Sequence, residues 1–382
     1  MSTHFERELR GQAITLRRLL SDRAAFEKVG AAVRAFAPRF VVTAARGSSD
    51  NAARYAKYLF GAHNRLVVSM GAPSLLTLYG SPPDLRGALL LGISQSGESP
   101  DITALAAEGA RQGALTIALT NVLGSPLARA CRYVLPLHAG PEHAVAATKT
   151  YTAELTALAM LSAAMGAPQD NNNDNNDNDN DNDDDDNDGG DRGDRAQRWS
   201  ELARVPDAVD ETLALCPPEV VARAAVLIDA TTTRLFVVGR GFNFSTAFEI
   251  ALKLKETAYL SAEAQAPPDL WHGPIAVIDA QVPTIVLAVA GPTLPELAPL
   301  LAEIGHRRAP LTIVSNVEPT APIFASAGST PTAFLPFSNA LPEWLSPIAG
   351  VVPGQLLAAE TARRRGYDPD RPRGLAKITK TH

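Results

Sequence analysis

Along most of the chain, short apolar runs alternate with longer stretches that carry helical patterns of apolar residues. Alternation of this kind predicts βαβ units and parallel sheets. The runs predict strands at Phe40–Ala44, Leu66–Ser69, Ala88–Ser94, Leu115–Thr120 and Tyr133–Leu137 in the first half. In the second half they predict strands at Leu235–Val238, Thr284–Val289, Leu311–Ser315 and Ala333–Pro336. The halves echo each other. FVVTAARGSSDNAARYAKYLF and LFVVGRGFNFSTAFEIALKLKE share a strand, an Arg-Gly turn and a helix, and LTIALTN is echoed by LTIVSN. A repeat of half the chain length reads as a duplicated domain. The expected fold is α/β: two tandem doubly wound parallel-sheet domains, flavodoxin-like or Rossmann-like and three layers thick, with ligands at the carboxyl ends of the strands.

The expected order is an N-terminal helix over residues 1–30, a first domain over 31–167, an acidic linker over 168–198, a second domain over 199–366 and a C-terminal tail over 367–382. Asp170 to Asp188 consists of Asn and Asp alone. Such a run buries no apolar surface and repels itself, so it reads as a solvated insertion. A calcium loop would need a glycine-centred pattern closed by a Glu, which the run lacks. Its ten aspartates account for the net charge of −6; without them the remainder stands at +4. A mildly basic remainder suits an anionic metabolite, while no Lys/Arg stripe with interleaved aromatics marks a nucleic-acid surface.

At 382 residues, 46% hydrophobic and 20% charged, the chain has globular composition and room for two cores. No apolar stretch approaches the eighteen or so residues of a membrane helix. The N-terminus, MSTHFERELRGQ, carries charges where a signal peptide needs an apolar core, so the expected location is cytoplasmic. Cys131 and Cys216 read as small buried hydrophobes, and the seven histidines are scattered with no metal-ligand spacing. Neither a metal nor an organic cofactor is expected.

GALLLGISQSGESPDITALAAEGA places a hydroxyl-rich turn between a buried strand and a helix that begins near Ser99 or Pro100. Free backbone N–H groups, the helix dipole and the hydroxyls of Ser94, Ser96 and Ser99 fit a phosphate, and Gly97 allows close backbone approach. Read from the residues alone, Ser99 is equally well a plain N-cap and the other serines plain turn formers. The corresponding stretch of the second half, TIVLAVAGPTLPEL, has no hydroxyl cluster, so one phosphate site per chain is expected. Glu249, Lys253 and Glu256 share a helix face, which by spacing alone is the pattern of an exposed salt-bridged surface.

SQSGES resembles the phosphate-loop signature of the sugar-isomerase (SIS) domain family, which implies that Ser94, Gln95, Ser96 and Ser99 hold the phosphate of a phosphosugar. EIALKLKE followed by WHGP is similar to the isomerase half of glucosamine-6-phosphate synthases. That resemblance implies that Glu256 moves a proton between C1 and C2, that Lys253 supports it, and that His272 assists ring opening from a neighbouring subunit of a homodimer. Trp271 before the histidine departs from the synthase pattern. The ending DRPRGLAK resembles the synthase terminus, whose lysine reaches the open-chain sugar, and Lys377 takes that position. RGSSDNAARY and AVAATKTY resemble the segments that contact the sugar, placing Ser48, Ser49 and Val145 near it, with Ala147 where a serine is common. Synthases also carry an N-terminal glutaminase domain whose cysteine follows the initiator Met, whereas Ser2 stands here. The implied direction is therefore that of the stand-alone deaminases, glucosamine 6-phosphate to fructose 6-phosphate and ammonia. A plain aldose–ketose isomerase, the isomerase component of a glutamine–fructose-6-phosphate transaminase and a non-catalytic sugar-phosphate sensor are the alternatives.

Overall fold

The computed structural model describes residues 3–166, 188–228 and 230–377. Three helices, α1 (His4–Arg10), α2 (Gln12–Leu20) and α3 (Arg23–Phe36), occupy the N-terminal segment for which the pattern predicts one. The first sheet unit comprises β1 (Phe40–Ala44), α4 (Ser48–Asn64), β2 (Val68–Met70), α5 (Pro73–Thr77), β3 (Ala88–Ile93), α6 (Pro100–Arg111), β4 (Leu115–Thr120), α7 (Pro126–Ala130), β5 (Tyr133–Pro136) and α8 (Lys149–Met165). Helices α9 (Asp188–Ala203), α10 (Val205–Leu215) and α11 (Pro218–Val226) lead into the second. That unit comprises β6 (Arg234–Val238), α12 (Phe244–Ala258), β7 (Ser261–Gln265), α13 (Pro267–Trp271), β8 (Thr284–Ala288), α14 (Ala298–His306), β9 (Leu311–Ser315), β10 (Thr332–Pro336) and α15 (Ser346–Arg364).

Both sheets are parallel throughout, with strand orders β2-β1-β3-β4-β5 and β10-β9-β8-β6-β7. Counted from its own first strand, the second repeats the order of the first, which is the flavodoxin-like winding. Every residue of β3 and β4 is buried, as strands covered by helices on both faces require. β7, SAEAQ, escapes the hydrophobic pattern because an edge strand needs no continuous apolar run. The expected acidic linker falls largely outside the described residues, and from Asp188 onward the chain is already helical, with Trp199 and Leu202 of α9 in the core.

One apolar cluster runs through both units, joining residues of α4 and α8 to residues of α12 and α15, and each unit has a smaller cluster of its own besides. α8 is buried along its whole length from Thr150 to Met165, as a helix apolar on every side must be. Polar contacts lock the same seam: the Tyr55 hydroxyl donates to the Trp344 carbonyl at 2.7 Å, and Gln12 Nε2 to Gln355 Oε1 at 3.0 Å. The C-terminal tail is pinned as well. The Asp370 carboxylate accepts from the backbone N–H groups of His4 and Phe5 at 2.6 and 2.9 Å, and the Arg373 N–H donates to the Tyr259 hydroxyl at 2.9 Å. The Arg373 guanidinium also lies over the Tyr259 and Tyr367 rings, at 4.4 and 5.1 Å.

Tyr55→Phe removes the hydroxyl that bridges the units and leaves the buried Trp344 carbonyl without that donor. Urea unfolding of this variant is expected to show a loss of about 1–3 kcal/mol. A loss within measurement error would mean that the bridge contributes nothing to the seam.

Candidate active site

At the carboxyl end of the first sheet lies a cavity of about 310 Å³. Its lining includes Ser48, Ser49, Ser94, Gln95, Ser96, Ser99, Val145, Ala147, Glu256 and Lys377. Lys253 stands directly behind the wall, fully buried, with Nζ 2.6 Å from Glu256 Oε2. His272 does not line the cavity: it caps the C-terminal end of α13 and is exposed.

The loop after β3 is held open by its own serines. Ser94 Oγ accepts from the Gly97 N–H at 3.1 Å, and Ser96 Oγ from the Glu98 N–H at 3.3 Å. Gly97 has φ +65°, and a Cβ there would come within 2.1 Å of Ser125 Oγ, so the turn closes only around glycine. Ser99 occupies the N-cap of α6, yet its side chain makes no capping bond. Its hydroxyl therefore remains available, while in the first turn Pro100 has no N–H and the Ile102 N–H is taken by the Asp101 carboxylate at 2.9 Å. Arg46, at the cavity wall, pairs with the buried Asp101 in the first turn of α6 at 2.8 Å.

The equivalent loop of the second unit is occupied by acid instead. A Cβ on Gly291, at φ +147°, would meet Glu343 Oε2 at 2.5 Å. Thr293 Oγ1 donates to Glu343 Oε1 at 3.2 Å. A carboxylate in this place repels a phosphate, so the lost hydroxyl cluster has an electrostatic counterpart.

α12 and α4 bring the acid–base residues together. Lys253 Nζ lies 3.3 Å from Glu249 Oε1 and 3.1 Å from Ser48 Oγ, while Ser48 Oγ donates to Glu249 Oε1 at 2.9 Å. Asn51 Nδ2 completes Glu249 at 2.8 Å. Burial alone would lower Lys253, but Glu249 and Glu256 outweigh it and hold the ammonium well above its ordinary range. Burial raises Glu249, opposed by Lys253 and by the Asn51 and Ser48 hydrogen bonds. The spacing that fits an exposed surface face is here a buried network, because its opposing wall is α4 of the other unit.

Lys377 is drawn to the opposite rim. Its Nζ lies 2.6 Å from Glu142 Oε2 and 2.7 Å from the Ala144 carbonyl. Glu142 is buried and also accepts from the N–H groups of Thr148 and Thr150, at 3.0 and 3.2 Å, thereby capping α8 from outside the helix. Burial would raise Glu142, but Lys377 and these hydrogen bonds hold it below the ordinary carboxylate value. α1 supports the same loop, with Glu8 accepting from the N–H groups of His143 and Ala144 at 2.6 and 3.0 Å. An open cleft of about 1170 Å³ adjoins the cavity, so Glu142 and Lys377 form part of the wall between the two.

Arg46, Glu142, Thr150 and Glu154 also line the cavity and were not among the residues that the sequence motifs single out. Glu154 alone carried a legible signal, as the one acid in the otherwise uncharged helix that follows Lys149. It is fully buried, its Oε1 accepts from Ser49 Oγ at 2.7 Å, and its Oε2 has no partner. Burial, reinforced by the charges of Glu249 and Glu142, pushes its carboxyl up to about 8 against the Ser49 hydrogen bond and Lys377. Cys131 and Cys216 lie outside the cavity, and burial raises both thiols to about 12. Among the described residues no group of three His, Cys, Asp or Glu is placed to hold a metal ion, and no helix is long and apolar enough to cross a membrane.

The SIS domain model matches residues 37–164 and 227–321, more than half of the chain. The glutamine–fructose-6-phosphate aminotransferase (isomerizing) of Methanothermobacter thermautotrophicus is 34% identical over 337 residues, 87% of this chain and 50% of that protein. The chain thus spans about half the length of the curated relatives it matches. A candidate phosphosugar isomerase from Silicibacter pomeroyi superposes with a TM-score of 0.79 at 30% identity, covering 97% of this chain and 100% of that one. The C-terminal domain of glucosamine-fructose-6-phosphate aminotransferase from Francisella tularensis gives a TM-score of 0.82 at 22% identity, covering 97% and 98%.

A carboxyl whose native value is raised keeps a proton that the unfolded chain has lost. Stability contributed at Glu154 is therefore fully present below its ordinary value near 4.5 and falls as pH rises toward about 8. Glu154→Gln removes that dependence while keeping an acceptor for Ser49. Its stability relative to the native chain is expected to improve by on the order of 2 kcal/mol between pH 5 and pH 7 in paired urea titrations. A difference that stays constant across this range would show that Glu154 is ionised in the folded protein.

Proposed function

The chain belongs to the SIS domain family, and we propose that it enolises a hexosamine 6-phosphate, converting glucosamine 6-phosphate and water to fructose 6-phosphate and ammonia. The observation that carries this reading is the joining, in one cavity, of the serine loop after β3 with a carboxylate held by a buried ammonium and a lysine from the tail. The loop supplies hydroxyls and N–H groups for the phosphate. Glu256, fixed through Lys253, takes the C2 proton of the open-chain sugar and returns it at C1. That shift turns the C2 amine into an imine, to which water adds, and loss of ammonia leaves the ketone. Lys377 stands where it reaches the sugar oxygen at the far end once it leaves Glu142.

His272 completes the reading as the ring-opening residue of a second copy's cavity, so activity belongs to a homodimer. Its exposed position at the end of α13 leaves it available to a neighbour. Aldose–ketose isomerisation without deamination uses the same Glu256 step and differs only in the substituent at C2.

Purified protein given glucosamine 6-phosphate is expected to form fructose 6-phosphate and ammonia with no added metal, nucleotide or glutamine. Interconversion of glucose 6-phosphate and fructose 6-phosphate, with no ammonia from any hexosamine phosphate, would replace the deaminase with the isomerase. Binding without either reaction would make the chain a sensor.

Glu256→Gln removes the proton carrier and leaves the phosphate loop untouched. Its kcat is expected to fall by about 10²–10⁴-fold while phosphosugar affinity holds. Retention of more than about a tenth of the native kcat, far outside that range, would take the role from Glu256.

A further inference from the structure

The cavity holds three buried or half-buried acids, and two of them already face a cation. Glu256 pairs with Lys253, and Glu142 with Lys377. Glu154, which lines the cavity, has no such partner: one oxygen takes the Ser49 hydroxyl, and the other is buried and takes nothing. We propose that Glu154 and Ser49 form a subsite for the primary amine of the substrate, so that this carboxyl selects amino sugars over their hydroxyl counterparts. The inference rests on the phosphosugar reading of the cavity and adds the substrate class that it prefers.

A buried acid without a cation disfavours the folded state, and a neutral amide would serve a sugar hydroxyl equally well at lower cost. An arriving ammonium changes the balance, because it supplies both the missing hydrogen bond to Oε2 and the opposite charge. The groups that face Glu154 fit this exchange. Glu249 and Glu142 disfavour its ionisation, and Lys377, which would favour it, is engaged by Glu142 and the Ala144 carbonyl. Glu154 therefore waits as the protonated acid. Binding of an ammonium forms the ion pair and sends the carboxyl proton to solvent, with no other change in covalent state.

Two non-reacting probes separate the possibilities: 2-amino-2-deoxyglucitol 6-phosphate and glucitol 6-phosphate, titrated calorimetrically into the full chain at pH 7 in buffers of different ionisation enthalpy. The native protein is expected to prefer the amino probe and to release about one more proton with it than with glucitol 6-phosphate. Glu154→Gln is expected to lose at least about tenfold in affinity for the amino probe, the equivalent of one charged hydrogen bond, with glucitol 6-phosphate changed by less than about threefold. Equal losses for both probes, or equal proton release in the native protein, would overturn the subsite and leave Glu154 as a partner of Ser49 alone. Preference for the amino probe without ammonia release from glucosamine 6-phosphate would uphold the subsite and remove the deaminase reading. Failure of both probes to bind would remove both.

Discussion

Lys253 places an ammonium where no water reaches it, and burying a charge is tolerated only when every proton it carries finds a partner. Two of those partners, Glu249 and Glu256, come from its own helix, but the third, Ser48, comes from the other unit, as does the Asn51 amide that completes Glu249. α12 of one half is therefore satisfied only when the other half is docked against it. This explains why the core is continuous across the two sheets, with α12 packed between α4 and α15. It also fixes Glu256 at the cavity wall, since its carboxylate is tied to the one buried cation of that network.

From this seam the division between the duplicated units follows. Both have the same strand order, so both present a loop and a helix start at the same place. The first keeps glycine and serines there, while the second fills it with the Glu343 carboxylate. One unit thus keeps a loop that suits an anion, and the other contributes the helix that carries Glu249, Lys253 and Glu256. α1 closes the remaining side: Asp370 of the tail is caught by its first turn, and its Glu8 holds the loop that carries Glu142. Lys377 reaches the cavity with the tail around Asp370 and the loop that carries Glu142 both fastened to α1.

Much of this was legible from the residues. The strand runs of both sheets appear as apolar segments, and the serine loop is visible as hydroxyls between a strand and a helix. β7 was not legible because an edge strand alternates small and polar residues. The Glu249–Lys253–Glu256 spacing could not distinguish a solvated face from a buried one, since the deciding neighbour, Ser48, lies about two hundred positions away. Glu142 was hidden for the same reason: its partner Lys377 belongs to a tail that composition alone marks as frayed. Glu154 was visible as a solitary acid in an apolar helix, but only the fold shows that it lines the cavity.

The account depends most on proton transfer at C2 by a carboxylate that Lys253 holds in place. Glucosamine 6-phosphate labelled with deuterium at C2, followed by NMR with native protein and with Lys253→Met, measures that step directly, and glucitol 6-phosphate binding reports whether the phosphate loop stays formed. The account predicts that native protein removes the label from C2, whereas the variant loses at least about 100-fold in this rate with glucitol 6-phosphate affinity changed by less than about threefold. Label loss in Lys253→Met at a rate within about tenfold of native, or ammonia release from native protein with deuterium retained at C2, would contradict it.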